Sequence, residues 1–256
     1  MIGVKMKAAA ERPTLQLYGD VGLDVLASDV AAALNAAGGR DITVNLFSYG
    51  GDAGEGLAIH DLLARYPGNK TIVIDGVAAS AGSMVAMAGD RVVMPDNALL
   101  MIHDCWSLAA GNAAAMRTSA DLLDTYSASY RQTYARKSGQ SEATVAEWMA
   151  ASAGAGTWFT AAAAVEAGLA DETAPPADVR ASVPRMPPGR FSEIPAALSA
   201  WAEVSSLSPG EHQPEPSSEP MNTQSQAGGA PAATHEQPAA AAAPEAAPVA
   251  AAAVQA

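Results

Sequence analysis

The sequence predicts an α/β domain with a largely parallel sheet, and three observations carry the prediction. Between residues 12 and 174, short apolar runs alternate with longer ones whose apolar residues recur at helical spacing. A chain that alternates strand and helix forms βαβ units, and their right-handed crossovers leave neighbouring strands parallel and covered by helices. Past residue 174 the alternation stops: of 17 prolines, only Pro13, Pro67 and Pro95 precede that point, so the two stretches are different kinds of chain.

Taken in order, Leu15 to Tyr18 reads as a strand closed by Gly19-Asp20. Asp24 to Ala37 carries Val25, Leu26, Val30, Ala33 and Leu34 on one helical face and stops at Gly38-Gly39. Ile42 to Phe47 is the next strand, ended by the turn Ser48-Tyr-Gly-Gly51. A helix over Gly54 to Tyr66 ends at Pro67-Gly68, and Thr71 to Ile74 is a third strand. The small residues from Gly76 to Gly82 read as a loop leading into a helix over Met84 to Ala88, followed by strands at Arg91–Met94 and Leu99–Ile102. A long helix is predicted over Ala113 to Lys137 between Gly111-Asn112 and Gly139. Ser141 is then the N-cap of a helix through Met149, and Thr160 the N-cap of one ending at Gly168.

The expected organisation is an N-terminal arm (1–11), a domain (12–174) and a largely disordered, Pro/Ala-rich acidic tail (175–256), in which ordering entropy has no apolar burial to offset it. Within the tail, Ile194 to Leu207 places Leu198, Trp201 and Val204 at helical spacing, either a docking helix or a transient one. The formal charge of −13 argues against nucleic acid as the main partner, because phosphates are held by Lys and Arg. One cysteine excludes a disulfide framework and any Cys-based metal site; no metal or other cofactor is expected. No run approaches the roughly 18 apolar residues of a membrane span, so the expected location is the cytoplasm, or an assembly formed there.

In such folds sites form beyond the carboxyl ends of strands, which singles out Ser48–Gly51, Gly76–Gly82 and His103–Cys105. Ser80 sits where a strand gives way to a helix, so its hydroxyl meets unpaired N–H groups that favour an attacking oxygen and a developing oxyanion. Small neighbours at such a turn also serve tight helix packing. Of four histidines, His212 and His235 lie in the tail and His60 in mid-helix, which leaves His103 at a strand end, within reach of a serine on a neighbouring strand. Gly50-Gly51 can turn backbone N–H groups outward as oxyanion donors, or be only a turn.

Together these pieces resemble the Clp protease proteolytic subunit (ClpP) family. Asn45-Leu-Phe-Ser-Tyr-Gly-Gly51 is similar to that family's Asn-Ser-Pro-Gly-Gly strand end. Gly76-Val-Ala-Ala-Ser-Ala-Gly82 resembles its Gly-x-Ala-Ala-Ser-Met-Gly nucleophile motif, and Met94-Pro-Asp-Asn-Ala-Leu-Leu-Met-Ile-His103 its Leu-Pro-Asn-Ser-x-x-Met-Ile-His segment. Ser138-Gly-Gln140, Phe159-Thr-Ala161 and Glu166-Ala-Gly-Leu-Ala-Asp171 resemble further landmarks. The resemblance implies a ClpP/crotonase-like fold of repeated β-β-α units and a serine endopeptidase. In it Ser80 is the nucleophile, His103 the base, and the N–H groups of Gly51 and Ala81 the oxyanion hole. It also implies protein or peptide substrates and homo-oligomeric rings, for which Leu122, Leu123, Tyr126 and Tyr130 on the long helix are candidate contacts, or else core.

The sequence departs from the family at the third triad position, where Thr157 stands in place of an aspartate, and no acid lies between Glu147 and Glu166. The partner of His103 is left open between Thr157, a backbone carbonyl, and an acid such as Asp104 or Asp171. Gly156-Thr-Trp-Phe-Thr160, Asp104-Cys-Trp106 and the long tail look more like phage prohead (head maturation) proteases, which process scaffold or capsid proteins without an ATPase, than like housekeeping ClpP with its AAA+ ATPase partner. Three rivals stand beside these: a Ser-Lys peptidase, disfavoured because no lysine falls between Thr71 and Arg136; a crotonase-like acyl-CoA enzyme; and an inactive assembly protein on the same fold.

Overall fold

The computed structural model describes residues 2–7 and 12–175. The tail, with its Ile194–Leu207 segment, His212 and His235, lies outside the described residues. The elements run β1 (Gly3–Lys7), β2 (Thr14–Tyr18), α1 (Ala27–Ala37), β3 (Ile42–Ser48), α2 (Ala53–Ala64), β4 (Lys70–Ala79) and α3 (Ala81–Ala86). They continue with β5 (Arg91–Pro95), β6 (Leu99–Ile102), α4 (Ala113–Ser138), α5 (Glu142–Gly154), β7 (Thr157–Thr160), α6 (Ala161–Glu166) and β8 (Glu172–Ala174).

The sheet is mixed and open, in the order β1-β2-β3-β4-β5-β8, with β6 and β7 branching from β4. From β2 to β8 the ladder is parallel, as the alternation predicts; β1 on β2 and β7 on β6 are antiparallel. The branch arises because β4 changes partner along its length. Thr71–Val73 pairs with β5, whereas Val77–Ala79 pairs with β6. The switch falls at Asp75-Gly76, where Gly76 takes φ +96° and the register against β3 shifts. Asp75 is buried there, and its carboxylate accepts the Tyr18 hydroxyl; burial nonetheless raises its pKa above the ordinary carboxylate value.

Gly76–Ala79 therefore continue a strand rather than form the loop that their small size predicts. Val77–Ala79 pair with β6, Ala78 also pairs with Ser48 of β3, and the whole stretch is buried, so tertiary pairing overrides weak strand propensity. Three strands, β1, β7 and β8, lie outside the predicted set. The helix expected from Asp24 begins at Ala27 because residues 20–25 form a turn, with Gly22, Leu23, Asp24 and Val25 tied back on themselves.

One face of the sheet and the inner faces of α1, α2, α3, α4 and α6 enclose a core that includes Leu17, Val44, Ile59, Ile74, Met84, Leu100, Tyr130 and Tyr134. Tyr18, Phe47, Tyr49, Val77, Leu99 and Met101 form a second cluster. On α4, Tyr130 belongs to the core and donates its hydroxyl to the Ala53 carbonyl, Leu123 and Tyr126 pack partly against it, and Leu122 is exposed.

Candidate active site

Ser80 and His103 meet at the carboxyl ends of β4 and β6. Because Val77–Ala79 pairs in parallel with Leu99–Met101, both strands end at the same level. The Ser80 N–H then caps the ladder on the Met101 carbonyl at 2.9 Å. Ser80 Oγ lies 2.7 Å from His103 Nε2, and both side chains are buried. Ser80 adopts φ 60° and ψ −128°, a conformation that costs a non-glycine residue about 1–3 kcal/mol. The sharp turn brings the side chain off the strand axis at the mouth of α3. Gly82 makes the turn possible: a Cβ there would lie 2.8 Å from Ser48 Cβ, so only glycine lets α3 settle on the end of β3.

Burial lowers the imidazole pKa of His103 from 6.5 to about 4. A backbone hydrogen bond at Asp104 acts in the other direction, raising it. That direction is the one a backbone carbonyl gives when it accepts a ring N–H. Nε2 faces Ser80, which leaves Nδ1 as the ring nitrogen for such a bond. A neutral ring protonated at Nδ1 presents its Nε2 lone pair to the serine proton.

Two of the residues left open for holding His103 are engaged elsewhere. Thr157 donates its hydroxyl to the Trp148 carbonyl at 2.7 Å. Asp171 accepts the Val92 N–H at 2.6 Å and Lys137 at 2.8 Å, tying β5 to α4. The Asp104 carboxyl is partly buried, which raises its pKa, and feels Arg131 and Asp124 on α4. Gly156 is not among the sequence candidates, yet it shapes the site: a Cβ there would lie 2.2 Å from the Ile102 carbonyl oxygen and 2.4 Å from His103 Cβ. Its only sequence signal is a glycine beside the missing acid.

Gly51 follows β3, the strand that flanks β4. It takes φ +150° and packs so tightly on Val21 that a Cβ would lie 2.0 Å from the Val21 oxygen. Val21 N–H bonds to the Gly50 carbonyl and Asp52 N–H to the Val21 carbonyl, while Gly50 N–H is taken by Ser48 Oγ. Among the described residues no acceptor takes the Gly51 N–H, or that of Ala81 at the start of α3. His60 is far from this centre: with Lys70, at the start of β4, it lines a separate cavity. Among the described residues no three His, Cys, Asp or Glu side chains converge as a metal site needs, and no helix is long and apolar enough to cross a membrane.

The family model for Clp protease matches residues 6–176. The chain is 33% identical over 149 residues to ATP-dependent Clp protease proteolytic subunit 3 of Streptomyces coelicolor, covering 57% of this chain and 66% of that protein. It is 32% identical over 136 residues to ATP-dependent Clp protease proteolytic subunit 2 of Thermobifida fusca, covering 52% of this chain and 64% of that protein. The chain thus spans less than two thirds of the length of either. Among solved structures, a point mutant of ClpP1 from Listeria monocytogenes superposes with a TM-score of 0.54 over 63% of this chain and 91% of its own, and at 23% identity it speaks for the fold alone. The match to the family model over residues 6–176, together with the identity to Clp protease proteolytic subunits, places the chain in the Clp protease family of ClpP-like serine peptidases.

Proposed function

We propose that this chain is a serine endopeptidase working through a Ser80–His103 dyad whose imidazole is held by the Asp104 carbonyl instead of a carboxylate. The 2.7 Å contact between Ser80 Oγ and His103 Nε2 at a strained strand-to-helix turn carries the reading. His103 Nε2 takes the hydroxyl proton as Oγ attacks a peptide carbonyl, and the N–H groups of Gly51 and Ala81 receive the oxyanion. Collapse breaks the C–N bond, His103 returns the proton to the leaving amine, and water activated by the same imidazole releases the acyl group.

A fluorophosphonate probe tests this on the intact protein. Oγ attacks phosphorus and fluoride leaves, so the adduct should be recovered by mass spectrometry on the peptide containing Ser80. No adduct, or an adduct only on another serine, would count against the dyad and favour the acyl-CoA or inactive readings.

For the substrates, the proposed setting is processing of scaffold or capsid proteins inside an assembling shell, by a homo-oligomer that needs no ATPase. A base without a carboxylate partner turns over slowly, and slow cleavage suits very high local substrate concentration. The second setting, an ATPase-partnered peptidase, is favoured by the names of the relatives, which are ATP-dependent subunits. Incubation with an unfolded protein such as casein, without ATP or a second protein, separates them. Slow cleavage by the protein alone fits the first, and cleavage only on adding an AAA+ ATPase fits the second.

A further inference from the structure

The Ser80 carbonyl accepts an unusual number of donors. Ser83 N–H reaches it at 2.9 Å, Met84 N–H at 3.2 Å and the Ser83 hydroxyl at 2.7 Å. Ser83 Oγ also lies 2.8 Å from the Tyr134 hydroxyl. The direction of this chain follows from its end: a carbonyl can only accept, so Ser83 gives its proton to Ser80 O, and Tyr134 therefore donates to Ser83. Both side chains are completely buried, and Tyr134 stands near the end of α4, across the core from the nucleophile turn. Two hydroxyls at the centre of an apolar core are costly unless each is bonded, and the pair is satisfied only in this arrangement.

The carbonyl that receives them belongs to the same peptide group as the Ala81 N–H. A peptide unit is planar, with its C=O and N–H pointing in opposite directions. Fixing the oxygen inward therefore fixes the Ala81 N–H outward, and hydrogen bonds on the oxygen polarise the N–H into a stronger donor. Ser80, held at φ 60°, has little conformational preference of its own for that plane.

We propose that Ser83 and Tyr134 are positioning residues for the oxyanion hole: a buried Tyr134→Ser83→Ser80 carbonyl relay that aims and polarises the Ala81 N–H. The inference rests on the peptidase reading above and adds the device that orients one of its donors. A purely structural role would stabilise the junction of α3 and α4 without selecting the transition state.

Saturation kinetics of fluorophosphonate labelling on the full chain distinguish the two, because the negative charge that oxyanion donors stabilise grows on the phosphoryl oxygen as Oγ attacks phosphorus, after the reversible complex has formed. Removing a whole oxyanion donor costs roughly 10²–10³-fold, so misaiming one should cost less. Ser83→Ala is expected to lower the maximal labelling rate about 10-fold and Tyr134→Phe about threefold. The concentration for half-saturation should stay unchanged, and the double variant should be no slower than Ser83→Ala, because the two act in series. Should Ser83→Ala not fold, Ser83→Cys keeps the volume with a weaker donor and should show the same split. Unchanged maximal rates, or rate and half-saturation moving together with additive effects, would overturn the relay. Absence of label on wild-type Ser80 would instead overturn the peptidase reading, and the relay with it.

Discussion

Labelling of Ser80 should hold its plateau from neutral pH down to about 5 and then fall with a midpoint near pH 4, and His103→Ala should slow it by roughly 10⁴-fold or more. The sign follows from which form works. The neutral imidazole is the base, and burial disfavours the charged ring, so the folded protein releases this proton at lower pH than a free histidine does. A histidine at its ordinary value of 6.5 would be only about 3% neutral at pH 5. At that pH a protein with His103 near 4 keeps about 30 times more of its base. A base this weak drives proton transfer poorly at pH 7, so the plateau itself is expected to be low.

Folding stability carries the same signature independently. Between pH 6.5 and about 4 the unfolded chain binds a proton at residue 103 that the folded chain refuses. This site therefore destabilises the fold as pH falls, by about 3 kcal/mol once both pKa values are passed. In urea melts, His103→Gln should flatten that part of the pH dependence. Thr157→Asp tests the cause: Thr157 pairs with Ile102, next to His103, so a carboxylate there should move the acid limb up by about 1–3 units and raise the plateau. It should cost about 1 kcal/mol through the lost bond to the Trp148 carbonyl. An acid limb that stays in place in Thr157→Asp would mean that a carboxylate at this position does not act on His103, and that the missing acid is not what leaves its pKa low.

What the sequence shows of this site is what side chains encode. Ser80 and His103 stand out because each ends a strand in a recognisable setting, and parallel pairing of β4 with β6 brings those ends together. The group proposed to hold His103 is illegible, because a backbone carbonyl carries no residue signature. Asp104 and Asp171 are as eligible as any acid until the structure shows Asp171 bonded to Val92 and Lys137. Gly156 reads as an ordinary turn residue, since its role is the absence of a Cβ against His103. In the fold, the long periodic helices and alternating strands are legible. The Ala-rich end of β4 is not, because its conformation is imposed by partners distant in sequence, and β7 and β8, of four and three residues, are too short to show a period.

Gly51→Ala is expected to be the most damaging single-methyl change in this domain. The added Cβ would sit 2.0 Å from the Val21 oxygen and 2.9 Å from both Val21 C and N, all backbone atoms. Val21 cannot yield freely, because its N–H and C=O are bonded to Gly50 and Asp52 on either side. The clash must therefore open the loop between β3 and α2, and with it the N-cap at Asp52, whose carboxylate accepts the Glu55 N–H. Forced movement of bonded backbone, added to a φ of +150° that alanine disfavours, places the cost at about 4 kcal/mol or more. For a domain of this size that is a fall of roughly 10 °C in thermal midpoint. Gly38→Ala and Gly139→Ala supply the comparison: both sit at left-handed φ, +64° and +71°, with open space where a Cβ would go. They should cost only about 1 kcal/mol each, the left-handed penalty without the clash. Ser80 labelling should then be normal in those two and lost in Gly51→Ala even at temperatures where it remains folded, because the displaced loop carries the Gly51 N–H away from the oxyanion. Retention of full labelling by folded Gly51→Ala would remove Gly51 from the oxyanion hole and leave Ala81 as its donor.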